Sequence, residues 1–320
     1  MNSMKPVNPE TSTSRVLSPL KILGYAIVFA FLTVLFTAAC SGSGTEQPDS
    51  PDRSFLWEVT SSSSTVYILG SIHMASPDLY PLDDSIENAF NTSDYLAVEF
   101  DITTTNTGQL VRLLRDKGTY PPGESLYHNI PEELYKQTDE VLEELGSDVF
   151  LFNSFEPWVV AMGIEGLIMA DYGYTEENGI DIYFLNKAHQ EGKEIIEMES
   201  AEFQLELLDS LSDEMQILLL EEIVKNPPGE NELERMFDVW RSGAILEMES
   251  LVLSSDEEDP ELMALNEKLL DERNFLMVEK IQSFLGDTGT YFVVVGAGHL
   301  VGDNGIISLL GESGYEPGQL

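Results

Sequence analysis

Cysteine is almost absent from this chain: Cys40 is the only one in 320 residues. No intrachain disulfide can form, so an exported part must be held by an ordinary hydrophobic core. Basic residues are scarce as well, 16 Lys+Arg against 57 Asp+Glu, for a net charge of −41. That balance excludes nucleic acid as a partner, because little is available to neutralise phosphates. A uniformly acidic surface keeps a protein soluble and says little about its fold. The acidic run "SSDEEDPE", Ser254 to Glu261, lacks the glycine-containing EF-hand spacing and reads as a solvated loop, not a calcium site. Histidine is rare too, with four in the chain.

The first 40 residues differ from the rest. Lys5, Arg15 and Lys21 are their only charges besides Glu10, and Ile22–Ala39 is an uncharged apolar run of 18 residues ending at "TAAC". A basic start, an apolar stretch and small residues at a cut form a secretory signal. Cys40 at that cut predicts a lipoprotein signal whose cysteine is acylated, although Thr37 stands where such signals carry an aliphatic residue. An uncleaved anchor is the alternative, since a bilayer needs about 20 apolar residues. Both expectations tether the chain to the membrane on its extracytoplasmic face. "SGSGTEQPDSPDRS", residues 41–54, reads as a flexible tether, and residues 55–320 as one domain, with no second linker. Without its first 40 residues the chain carries 56 acidic against 13 basic residues, a net −43.

Five segments read as strands: "FLWEV" from Phe55, "TVYILG" from Thr65, "YLAVEF" from Tyr95, "KEIIEME" from Lys193 and "YFVVVG" from Tyr291. The last is continuously apolar, as expected of a strand covered on both faces. "SSSS" between the first two predicts a hairpin. The middle reads helical: "PEELYKQTDEVLEELG" puts Leu134, Val141, Leu142 and Leu145 on one face, and "SFEPWVVAMGIEGLIMADYG" and "NGIDIYFLNKAHQEG" follow. Strands at both ends with a helical centre predict an α/β fold, a mixed sheet carrying a large helical middle region.

Two of the four histidines share a local context more than 200 residues apart. "YILGSIH" and "VVVGAGH" each place an apolar run, then Gly-x-x-His, before a turn-rich stretch. His73, Glu99, Glu199 and His299 all fall at or just past the carboxyl end of a predicted strand, where open α/β sheets bind ligands. Gly70 and Gly296, three residues before each histidine, would let the chain turn sharply and come close to a ligand, and Gly298 adds freedom beside His299. Arg273 lies in the apolar stripe of the helix through "ELMALNEKLLDERNFLMVEKIQSFL", four residues before Met277. A core-facing arginine must pair, with a carboxylate or with an anionic ligand group. His128, just before a helix start, and His189, in the last turn of a helix where an imidazole suits the dipole, read as structural or surface residues.

"FLWEV", "YILGSIH", "LAVEFD", "GIDIYFLNKA", "KEIIEMESAEFQ", "ERN" and "VVVGAGHLVGDNGIISLLGESGY" keep their order from Phe55 to about Tyr315 and together resemble the TraB/PrgY/GumN family. That family belongs to a wider group with erythromycin-esterase-like and ChaN-like proteins and includes the animal Tiki metalloproteases. The resemblance implies an α/β sheet with a cleft built from both Gly-x-x-His motifs and an acidic residue. By position, His73 and His299 match the family histidines, Glu99 the strand-end glutamate and Arg273 the arginine of an Arg-Asn pair with Asn274. Asp181 and Glu199 match the "GID" and "LE" positions, with Met198 standing where leucine is frequent; with Asn274 they are candidates for outer support of the site. In the implied site His73 and His299 are ligands of a divalent metal, Zn²⁺, Mn²⁺, Co²⁺ or Fe²⁺. Glu99 is the third ligand or the general base, and Arg273 stabilises an oxyanion or orients Glu99. The expected function is a metal-dependent hydrolase of a peptide or other acyl bond. Its alternatives are a non-catalytic protein that sequesters a peptide or haem-like ligand and a metal-free, His-dependent hydrolase.

Overall fold

The computed structural model describes residues 53–104, 107–253 and 260–320. The signal segment, Cys40, most of the tether and most of "SSDEEDPE" lie outside the described residues. Among those described, no helix is long and apolar enough to cross a membrane.

Among the described residues, six strands form one mixed sheet: β1 (Leu56–Thr60), β2 (Ser64–Ser71), β3 (Tyr95–Val98), β4 (Glu194–Glu197), β5 (Gly289–Gly296) and β6 (Gly318–Gln319), in the order β4-β3-β5-β2-β1-β6. β1 and β2 pair antiparallel across the serine turn, as the hairpin reading expects. β4, β3, β5 and β2 run parallel, with Val98 opposite both Glu197 and Val294, and Ser71 opposite Gly296. Strands from both ends of the chain are therefore neighbours. β6, two residues on the far edge, escaped the sequence reading.

Helices in chain order are α1 (Asp84–Thr92), α2 (Thr107–Gly118), α3 (Leu126–Asn129), α4 (Glu132–Glu144), α5 (Pro157–Asp171) and α6 (Ile180–Glu191). They are followed by α7 (Ala201–Asp209), α8 (Asp213–Lys225), α9 (Glu230–Arg241), α10 (Ile245–Leu253), α11 (Pro260–Asn266), α12 (Glu272–Leu285) and α13 (Ile306–Glu312). Successive strand residues face opposite sides, and β5 uses both. Phe292 packs on Phe90 of α1 and Phe184 of α6, while Tyr291 stacks on Phe284 of α12. The central strand is thus covered on each face, which explains its unbroken apolar run.

Local chemistry sets the ends of the elements near the cleft. Ser200 caps α7 by accepting from Phe203 N, and α6 stops at Gly192, whose φ of 70° suits a glycine. The long helix predicted through Arg273 is interrupted: Glu267–Asp271 forms a π turn between α11 and α12. An added residue per turn is a recurrent device beside functional sites, and here the Leu269 carbonyl within it accepts from Arg273 Nη1 at 3.1 Å.

Candidate active site

The parallel order β4-β3-β5-β2 brings four carboxyl ends to one edge of the sheet, and their next residues supply Glu199, Glu99, His299 and His73 in that spatial order. The alignment continues past the strands, because Glu199 N donates to Glu99 O at 2.7 Å. A Cβ built on Gly296 would lie 3.2 Å from His73 Nε2, 3.6 Å from Glu99 Oε1 and 3.6 Å from His299 Cδ2. The two histidines, then, meet with Glu99 around the one glycine that leaves them room.

Each imidazole is held from behind. His73 Nδ1 lies 2.6 Å from Asp181 Oδ2, an ion-pair contact not aligned as a hydrogen bond, and Ser71 Oγ donates to Asp181 Oδ1 at 3.0 Å. This leaves His73 Nε2 facing the centre, buried and without a partner. His299 Nδ1 donates to Asn274 Oδ1 at 2.6 Å, so Nε2 is its acceptor nitrogen, 3.8 Å from Glu99 Oε1. Asn274 is fixed in turn by donating to Asn304 O at 2.9 Å.

The "GID" triplet has a mechanical explanation. A Cβ on Gly179 would fall 2.1 Å from the His73 carbonyl oxygen, so only glycine lets α6 approach the histidine loop. Ile180 N donates to Ile72 O at 3.0 Å, and Asp181, in the first turn of α6, reaches His73. A carboxylate there also suits the helix dipole.

Glu99 is anchored at both oxygens. Oε1 accepts from Gly296 N at 2.8 Å; Oε2 accepts from Arg273 Nη2 at 2.7 Å and Gln204 Nε2 at 2.9 Å. Arg273 Nε and Nη2 also donate to Glu199 at 2.9 and 2.8 Å, and Gln204 donates to the same carboxylate. The arginine predicted to need a partner therefore has two buried carboxylates and a carbonyl. Burial alone would weaken its charge, but Glu99 and Glu199 more than restore it, and its pKa rises.

The two imidazoles are pushed apart. Burial opposes charge on His73, yet Asp181 and then Glu99 outweigh it and raise its pKa above the ordinary 6.5. Burial holds His299 well below that value, and Arg273 and His73 add to the effect. Such opposed environments are how one site keeps a proton donor beside a proton acceptor.

Among the described residues, no three His, Cys, Asp or Glu side chains form a ready cluster for a metal ion. The chemistry of the donors nevertheless fits one. Both Nε2 atoms turn inward, Glu99 Oε1 lies beside them, and each Nδ1 is backed by Asp181 or Asn274, the outer support that metal-binding histidines use.

Comparison with known proteins decides the family. The TraB/PrgY/gumN family profile matches residues 55–319. The chain belongs to that family. It is 28% identical over 244 residues to "Uncharacterized protein YbaP" of Escherichia coli, covering 76% of this chain and 87% of that protein. It is 22% identical to "Metalloprotease TIKI2" and 23% to "Metalloprotease TIKI1" of Danio rerio, across 82% and 86% of this chain. The matches cover 60% and 65% of those two proteins, under two thirds of their length. No solved structure matches.

Within this TraB/PrgY/gumN member, Glu99, Glu199, Arg273, Asn274 and His299 are joined in one contact network, and the His73–Asp181 pair meets it around Gly296. His128 lies within the short α3 and bonds Ser125 at the surface, and His189 pairs with Asp101 at 2.8 Å, away from this network. The reading of Gly70 needs correction. Gly70 lies inside β2, where a Cβ would strike the Phe55 ring at 2.5 Å, and its carbonyl accepts from Trp240 Nε1 at 2.7 Å. It serves close packing, not ligand approach. Neither Gly296 nor Gly298 has positive φ, so what matters at Gly296 is space and not conformational freedom. Gln204 was missed, as was Ser71.

Proposed function

We propose that this protein is a membrane-tethered extracytoplasmic hydrolase that uses a divalent metal to cleave a peptide or other acyl bond. The observation that carries the reading is the convergence of His73 Nε2, His299 and Glu99 Oε1 around Gly296, each imidazole held from behind. Relatives that bear the name metalloprotease support the reaction class. His73, His299 and Glu99 are the residues that would hold Zn²⁺, Mn²⁺, Co²⁺ or Fe²⁺. A metal of this kind supplies an activated water and polarises a carbonyl when bound.

The chain's own groups set the rest. Asn274 fixes the rotation of the His299 ring by its hydrogen bond, and Asp181 stands against His73 Nδ1 as a counter-ion. Gln204 and Arg273 occupy Glu99 Oε2 and leave Oε1 as the oxygen beside the histidines, as third ligand or general base. Arg273 is committed to Glu99, Glu199 and the Leu269 carbonyl, so we assign it to orienting Glu99 and not to meeting an oxyanion. The signal segment and Cys40 would hold this edge of the sheet outside the cytoplasmic membrane, where a peptide or small molecule is the substrate.

A second reading follows from the opposed imidazoles: His73 as proton donor and His299 as proton acceptor in metal-free hydrolysis. Metal content of the full chain after extensive dialysis in high salt separates the two, with His73→Ala and His299→Ala in parallel. About one tightly held metal per chain, lost in both folded variants, is expected. If none is retained after Zn²⁺, Mn²⁺ and Co²⁺ are offered, the metal-dependent mechanism fails. Hydrolysis that survives chelation but not His73→Ala then leaves the acid–base reading. Tight binding of unaltered peptide or haem, retained in His73→Ala, would make it a sequestering protein.

A further inference from the structure

We infer that the wall opposite His73 and Glu99 is a subsite for a small aliphatic side chain beside the bond that reacts. The inference rests on the hydrolase reading for its purpose, though not for its test. A cavity of about 30 Å³ lies against His73, Glu99 and Asp181, and its remaining lining is Phe100, Ile102, Ile182 and Leu185. The same two elements build both walls. The chain leaving β3 delivers Glu99 and then Phe100 and Ile102; the first turns of α6 deliver Asp181 and then Ile182 and Leu185.

In a chain with 57 acidic residues, an apolar wall at this place is informative. The two carboxylates in the lining are already engaged, Glu99 by Arg273 and Asp181 by His73. A charged side chain entering here would lose its hydration without gaining a free counter-ion. An alkyl group loses nothing of that kind and gains about fourfold in affinity per buried methylene. Size narrows the class further. A volume of about 30 Å³ is two to three times the roughly 10–15 Å³ that one water needs, which favours a small alkyl group over an indole.

The test uses ligand-observed NMR on the full chain with blocked amino-acid amides: N-acetyl-valinamide against the lysine, glutamate and tryptophan analogues. The valine compound is expected to bind at least tenfold more tightly, and Ile182→Trp, which fills the cavity from a partly exposed position, is expected to abolish the difference. Ile102→Asp gives a second reading of the same wall should the first variant fail to fold, with a matching loss of valine binding. Equal binding of the four amides, or valine binding that survives a folded variant, overturns the inference. Blocked amides need no turnover. A separate digest of a peptide pool, with His73→Ala as control, shows whether the hydrolase reading itself fails.

Discussion

Replacing Arg273 with methionine keeps an apolar stem in the core and removes the cation that faces Glu99 and Glu199. The side chains of those carboxylates are 5% and 4% exposed, and Arg273 is bonded to both. Removing one partner of a buried ion pair costs about 3–5 kcal/mol, because the remaining charge is left without compensation. Gln204 and Gly296 N–H still donate to Glu99, which places the expected loss nearer about 3 kcal/mol. The surface pair Lys136–Glu132, with side chains 57% and 73% exposed, provides the contrast: Lys136→Met is expected to leave the unfolding midpoint almost unchanged.

Urea unfolding of the full chain measures both, with the slope checked so that a change in midpoint is read as stability. Adding Glu199→Gln to Arg273→Met removes one of the two uncompensated charges and is expected to recover about 1–2 kcal/mol, a coupling that independent sites would not give. A loss under 1 kcal/mol for Arg273→Met, or simple additivity in the double variant, would refute the account of this network.

Gly296→Ala places a methyl 3.2 Å from His73 Nε2, and it is expected to abolish metal retention while changing the unfolding midpoint little, as read by metal content and urea unfolding. Gly179→Ala meets backbone at 2.1 Å and has no flexible neighbour to yield, so a loss of about 3 kcal/mol or failure to fold is expected in the same unfolding assay. Asn274→Ala leaves the buried His299 Nδ1 without its acceptor and is expected to cost about 1–3 kcal/mol and to weaken metal retention. Burial, and to a smaller degree Glu177, raises Glu176 from 4.5 to about 7. The folded chain therefore keeps a proton that the unfolded chain has released, and stability falls as pH rises through that window. Glu176→Gln is expected to be more stable than wild type at pH 8 by about 1 kcal/mol, after allowance for solvent screening, and equal to it at pH 4; an advantage that does not shrink towards acid pH would contradict this.

Local pattern revealed what stands at each strand end but not which strands are neighbours. The apolar runs before Gly70 and Gly296 located β2 and β5, and the histidines three residues later were placed correctly relative to them. Their adjacency depends on long-range packing, such as Phe90 and Phe184 closing on Phe292, and no periodicity within either strand encodes that. Arg273 was legible because a charged residue in an apolar stripe demands a partner. The same argument applies to Gln204, a polar residue four before Leu208 and buried beside it. The sequence thus carried a signal for Gln204, weaker because an amide costs less to bury than a charge. The π turn was invisible for a different reason: it displaces the helix by one residue without interrupting its apolar stripe, since Leu269 and Met277 remain buried on either side. Arg273 thus reaches two carboxylates on neighbouring strand ends through a backbone irregularity, and those carboxylates follow β3 and β4, separated in sequence by almost the whole first set of helices. A single guanidinium joins the carboxyl ends of β3 and β4 at the edge where the histidines meet, so the placement of Glu99 beside them and the closure of the sheet depend on the same ion pairs.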